Sequence, residues 1–182
     1  MFDWNTRILL FAQKGSQQIR SHQNVTQIVR IGVRSVEVDL RFLSVSEGLE
    51  YVANAGEFYE LCIFKRGETV PLNGPKEIRR GIVEGFGSME EEKYWLAHEI
   101  FEDFWKHYNG DLKTFYHGVI LLCVSMVHFQ MGHESNSRRI FVEARSVLER
   151  FIMEASSWEF SYPLNDTILD RIRKHALAIT DL

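Results

Sequence analysis

His98-Glu99-Ile100-Phe101-Glu102-Asp103-Phe104-Trp105 places one histidine and two glutamates inside a run that is otherwise mostly apolar and aromatic. At 3.6 residues per turn, Trp95, His98, Glu102 and Trp105 follow an i, i+3, i+7, i+10 spacing. They therefore share one stripe of a helix, with an imidazole and a carboxylate set between two indoles. Ionisable groups on such a stripe need partners, because burying them unpaired is costly. The stretch predicts a helix whose polar positions serve something other than packing.

Working outward, Ser88 and Glu91 have the spacing of a capping box and predict that this helix starts at 88, with Asn109-Gly110 as its stop near 108. Asp111 caps a second helix running to about 131, where Gly132 ends it. A third, over 136–155, shows Ile140, Ala144, Val147 and Phe151 on one face, and a fourth, over 166–179, shows Leu169, Ile172, Ala176 and Ile179. Short connections make successive helices antiparallel neighbours. Before them, Arg7–Ala12, Val36–Leu43 and Phe58–Phe64 read as strands, and the alternation Val36-Glu37-Val38-Asp39-Leu40-Arg41-Phe42 predicts one half-exposed strand. Helices are expected somewhere within 16–32 and over 46–54, giving a small β-α-β-α-β unit over residues 1–70. Pro71, Gly74, Pro75, Gly81, Gly85 and Gly87 give 71–87 the composition of a linker. The expected fold class is α+β: a small α/β N-terminal unit before an all-α antiparallel helical domain over 88–182.

The 182 residues, 45% hydrophobic and 25% charged, have the composition of a soluble globular protein. Residues 1–80 carry 11 Lys and Arg against 9 Asp and Glu, and residues 81–182 carry 10 against 16, so neither half has the charge of a polyanion binder. Cys62 and Cys123 fall within a strand and an apolar helix, which argues for buried thiols rather than a disulfide framework. The start Met1-Phe2-Asp3-Trp4-Asn5 lacks the basic and apolar regions of a signal peptide, and the apolar run 119–127 is too short to span a bilayer. The expectation is a cytoplasmic protein without a membrane segment.

The H-E-x-x-E-x-x-W run of 98–105, the aromatic-x-x-Gly of Phe115 to Gly118 and the later His128 occur in the order and spacing of a helical family. Over about residues 90–150 the chain resembles the family known as domain of unknown function 309. The resemblance implies a helical fold and no particular activity.

Two readings of the cluster compete. Thr114, Gly118, Leu121, Ser125 and His128 share one stripe of the second helix, and its small residues would let the first helix approach, bringing His128 toward His98 and Glu102. In the preferred reading, Trp95, His98, Glu99, Glu102, Trp105, Gly118, Ser125 and His128 form a structural or ligand-organising cluster in a non-catalytic binding or interaction module. In the alternative, a metal-dependent hydrolase, His98, Glu102 and His128 hold a divalent metal, and Glu99 or Glu102 is the catalytic base. The chain lacks both H-E-x-x-H and the paired E-x-x-H of di-iron bundles, which favours the first reading. The arginines at 20, 30, 34 and 41 have few aromatics among them, so the expected partner is a protein or a second copy pairing at a strand edge, not a nucleic acid.

Overall fold

A computed structural model describes residues 6–15, 26–65, 75–109 and 111–155. Four strands, β1 (Thr6–Gln13), β2 (Thr26–Ile31), β3 (Ser35–Phe42) and β4 (Glu60–Lys65), make one antiparallel sheet in the order β2-β3-β1-β4. Helix α1 (Val45–Val52) lies between β3 and β4 in the chain, and α2 (Pro75–Glu90), α3 (Tyr94–His107), α4 (Asp111–Gln130) and α5 (Glu134–Ala155) follow. The fold is α+β, with a sheet unit followed by a helical part.

β1 and β2 both run antiparallel to β3, so they are parallel to each other, and β3 and β4 are parallel for the same reason. Order and direction are those of a split β-α-β arrangement. Residues 26–31 lie in the window where a helix was expected, but they form β2. Thr26, Ile28, Val29 and Ile31 are β-formers, and pairing with β3 decides the local conformation. The rest of that window, 16–25, lies outside the described residues, as does the helix expected over 166–179.

The expected linker is helical from Pro75, so α2 absorbs Gly81, Gly85 and Gly87. Gly81 and Gly85 are helix-packing positions, whereas a Cβ on Gly87 would meet nothing within 4 Å. A Cβ on Gly81 would stand 2.5 Å from the Phe104 ring and one on Gly85 2.6 Å from the Phe101 ring, so their absence lets α2 rest directly on the aromatic face of α3. Ser88 accordingly does not cap a helix; inside α2 its hydroxyl donates to the Glu84 carbonyl at 2.8 Å. α2 ends at a Schellman-type turn: Lys93 N–H donates to Ser88 O at 2.8 Å and Glu92 N–H to Met89 O at 3.0 Å. Glu92 takes the left-handed position, φ 63°, that glycine usually fills. Gly132, φ 74°, closes α4 in the same way, as the sequence predicts.

Two cores result. Ile8, Leu10, Val38, Leu40, Phe42, Val52 and Ala55 fill the space between α1 and one sheet face. Phe86, Phe101, Phe104, Phe115, Tyr116, Val119, Cys123, Leu148 and Phe151 belong to the core among the four later helices. β1 is buried from Thr6 to Ala12 because both of its faces are covered. Among the described residues no helix is long and apolar enough to cross a membrane.

Candidate functional site

On the sheet face opposite α1, strand alternation puts Arg7 of β1, Arg30 of β2 and Glu37 and Asp39 of β3 side by side; Arg30 faces Glu37 across the ladder. The sequence reads this as the exposed side of a half-exposed strand. It is instead closed by α3, and Arg7, Arg30, Glu37 and Asp39 are all nearly inaccessible. What makes burial of four charges tolerable is mutual pairing.

Arg7 is the centre of the seam. Its Nε and Nη2 donate to Asp39 Oδ1 and Oδ2 at 2.8 and 2.6 Å, and its Nη1 donates to Glu99 Oε1 of α3 at 3.0 Å. Arg30 donates to Glu37 and, at 3.0 Å, to Asp39 Oδ2. Trp95 of α3 lies against both guanidiniums, with the Arg7 and Arg30 Cζ atoms 4.5 and 4.7 Å from its ring centroid, and His98 stacks on the same indole at 4.8 Å. Cation–π contact gives the two arginines a favourable, weakly hydrating ceiling. Burial tends to raise the Glu99 carboxyl pKa, but the facing His98 and Arg7 outweigh it and hold the group below the ordinary range. Burial pushes Glu37 the other way, to about 7, against the pull of Arg30.

A second fastening ties the β2–β3 hairpin to the α2–α3 turn. The Glu92 carboxylate accepts from the Arg34 backbone N–H at 2.9 Å, Arg34 Nη2 donates to the Glu90 carbonyl at 2.6 Å, and Gln130 of α4 donates to the Glu92 carbonyl at 2.8 Å. These bonds explain why a glutamate tolerates the left-handed turn. Beside it, buried Lys93 pairs with Glu60 of β4.

The structure divides the sequence-identified cluster. Trp95, His98 and Glu99 belong to the seam. Glu102 accepts from Lys106 at 2.8 Å and stands 3.8 Å from His98 Nε2, too far for a hydrogen bond. Trp105 turns toward α4, where Lys113 Nζ lies 4.7 Å from its ring centroid. Gly118, Ser125 and His128 face elsewhere. A Cβ on Gly118 would meet Leu148 of α5 at 2.7 Å, and the Ser125 hydroxyl donates to the Ser137 carbonyl of α5 at 2.8 Å. The small stripe of α4 does admit a close helix, but that helix is α5. Against α3, α4 instead presents Tyr116, stacked on Phe101 and Phe104.

That register separates the two histidines. With Phe101 level with Tyr116 and the helices antiparallel, His98 is level with about residue 119, which leaves His128 roughly 13 Å further along α4. His128 sits by His133, ring centroids 5.7 Å apart; burial, then His133 and Arg139, hold its pKa below the usual value. Among the described residues no group of three His, Cys, Asp or Glu is disposed to hold a metal ion. Cys123 is fully buried, and burial pushes its thiol pKa up, which suits a core residue.

Sequence reasoning missed Arg7, Arg30, Glu37 and Asp39. The available signal was that the polar positions of β3 alternate acid, acid, base on one face while β1 opens with an arginine in an otherwise apolar run. No curated protein and no solved structure matches the chain. A family model does: residues 82–140, from the middle of α2 into the second turn of α5, match the family described as domain of unknown function (DUF309) and include every helix-side residue of the seam.

Proposed function

We propose that the protein is a non-catalytic interaction module in which the DUF309-like helical segment and the sheet are locked together by the Trp95, His98 and Glu99 cluster. The observation that carries this reading is the Arg7 guanidinium, which binds Asp39 of the sheet and Glu99 of the helix at once. A catalytic carboxylate or metal ligand needs access to a cleft. Here Glu99 is engaged by an arginine and His98 is stacked on an indole. The same pairing supports a protein partner or a second copy over a nucleic acid, because Arg7, Arg30 and Arg34 are already committed to carboxylates or carbonyls within the chain.

The hydrolase alternative would need a third ligand to join His98 and Glu102, since catalytic zinc sites use three protein ligands. Purified protein exposed to Zn, Mn, Fe and Ni, then desalted and assayed for bound metal beside His98→Ala, separates the readings. The module predicts substoichiometric metal in both proteins and a lower melting temperature for Trp95→Ala and Glu99→Gln. Near-stoichiometric metal that vanishes in His98→Ala would replace this reading with the hydrolase.

A further inference from the structure

We infer that the seam between α3 and the sheet is a proton-responsive joint, with Glu37 as the group that gains or loses the proton. The inference rests on the seam being the joint of the module proposed above and adds its regulation. Its basis is how the hydrogen bonds of a closed space are shared: Glu37, Asp39 and Glu99 take hydrogen bonds from Arg7 and Arg30, while Arg41, on the same face of β3, lies beyond Asp39 and opposite Arg7. Asp39 takes hydrogen bonds from both arginines. Glu99 takes one from Arg7, and its side chain is 31% exposed, so water can share its charge. Glu37 has neither advantage. Its side chain is 2% exposed, Arg30 reaches only Oε1, and Oε2 has no donor among the described residues. Glu37 is therefore the least compensated of the three carboxylates.

The groups around Glu37 do not relieve it. On its own strand, Asp39 repels it; from β2 and β1, Arg30 and Arg7 attract it, but both are shared with other carboxylates. From β4, Cys62 faces it as a neutral thiol, pushed up to about 11 by burial first and by nearby Glu60, and Glu37 itself adds to the rise. Lys93, also beneath the sheet face, pairs with Glu60 and Glu91, and Arg41, four positions along β3, lies opposite Arg7. From α3, uncharged Trp95 lies over both arginines, His98 stacks on it, and Glu99 adds another negative charge. Burial outweighs these attractions and places the Glu37 midpoint at about 7, against 4.5 for a free glutamate. A raised midpoint means that the closed seam binds a proton which the open seam releases. The Glu37 contribution to closure is therefore fully present below 4.5, weakens by nearly tenfold in its equilibrium constant per pH unit between the two values, and is smallest above about 7.

The test uses the full chain carrying carbon-13 glutamate side chains. Following the carboxyl carbons by NMR from pH 4 to 9, with Glu37 assigned through bonds and confirmed by its loss in Glu37→Gln, should show one glutamate titrating near 7. In parallel, the urea midpoint of the wild type should fall steadily from pH 5 to 7 and then level off, while the Glu37→Gln profile stays nearly flat over that range. A Glu37 midpoint below about 5, or superimposable urea profiles for the two proteins, overturns the inference. If Glu37→Gln does not fold, the wild-type carboxyl titration decides alone. Metal retention tests the module and a carboxyl titration tests its joint, so the two proposals fail separately.

Discussion

Replacing Arg7 with methionine should be among the most damaging single changes in the chain, because it removes a group that hydrogen-bonds to both β3 and α3 and lies against Trp95. The substitution keeps a long apolar side chain, so little volume is lost. It deletes two hydrogen bonds to Asp39, one to Glu99 and the cation over Trp95. Asp39, 1% exposed, is left with a single contact to Arg30. Removing one partner of a buried pair typically costs about 3 to 5 kcal/mol, most of it the penalty of the stranded charge. With a urea slope of about 2 kcal/mol per molar, the midpoint should fall by roughly 2 M, measured by far-ultraviolet circular dichroism and by tryptophan fluorescence. The double variant Arg7→Met/Asp39→Leu is the sharper experiment. It leaves Arg30 facing Glu37 one to one, so it should recover a large part of the loss, with a coupling of more than about 1 kcal/mol. A cost below about 1 kcal/mol for Arg7→Met, or additivity in the double variant, would refute the account of the seam as a closed ion-pair network.

The glycines of α2 should respond in opposite directions to alanine. Gly85→Ala forces a Cβ against the Phe101 ring and should cost about 1 to 3 kcal/mol, whereas Gly87→Ala meets nothing within 4 Å and should gain about 0.5 to 1 kcal/mol, both read from thermal melts. Ser125→Ala should cost about 1 kcal/mol in chemical denaturation, because it strands the fully buried side of the α4–α5 contact without altering α3. Stability against pH should peak near about pH 5. Glu99, lowered in the fold, contributes stability that is present above its ordinary value and lost as the pH falls through its lowered one; Glu37, raised, contributes stability that is lost as the pH rises toward 7. A profile rising monotonically from pH 5 to 8 would show that Glu37 does not govern the seam.

Local signals in the sequence were read well, and long-range pairing was not. The strands at Arg7, Val36 and Phe58, the Gly132 stop and four helices, α1, α3, α4 and α5, follow from alternation, period and end signals, which are properties of neighbouring residues. β2 was not legible because Thr26–Ile31 is short and lies beside residues that could equally continue a helix; its conformation is set by hydrogen bonds to β3, several residues away through a hairpin. α2 was misread for a related reason. Its glycines announce a linker locally, and only the rings of Phe101 and Phe104, placed there by α3, turn Gly81 and Gly85 into contacts. The same gap runs through the site. The 98–105 run marks positions whose polarity needs partners, but its stripe points them at α4, because Arg7 and Arg30, which meet Glu99 and Trp95, come from strands far away in the chain.

A seam made of charges is a poor way to gain stability, since an apolar seam of the same shape would hold at least as well. What charges add is register. An apolar helix face on an apolar sheet can slide by a turn at small cost, whereas Glu99 can meet Arg7 in only one placement of α3, and Trp95 must then fall over Arg7 and Arg30. The hairpin bond from Arg34 to Glu92 fixes the same placement from the end of the helix. The matched family segment supplies only one side of this lock, because the arginines and aspartate that complete it lie before residue 82. A chain with the helical segment but without this sheet would leave the positions of Trp95, His98 and Glu99 facing whatever else covers them, so their chemistry belongs to the partner surface and not to the helices alone.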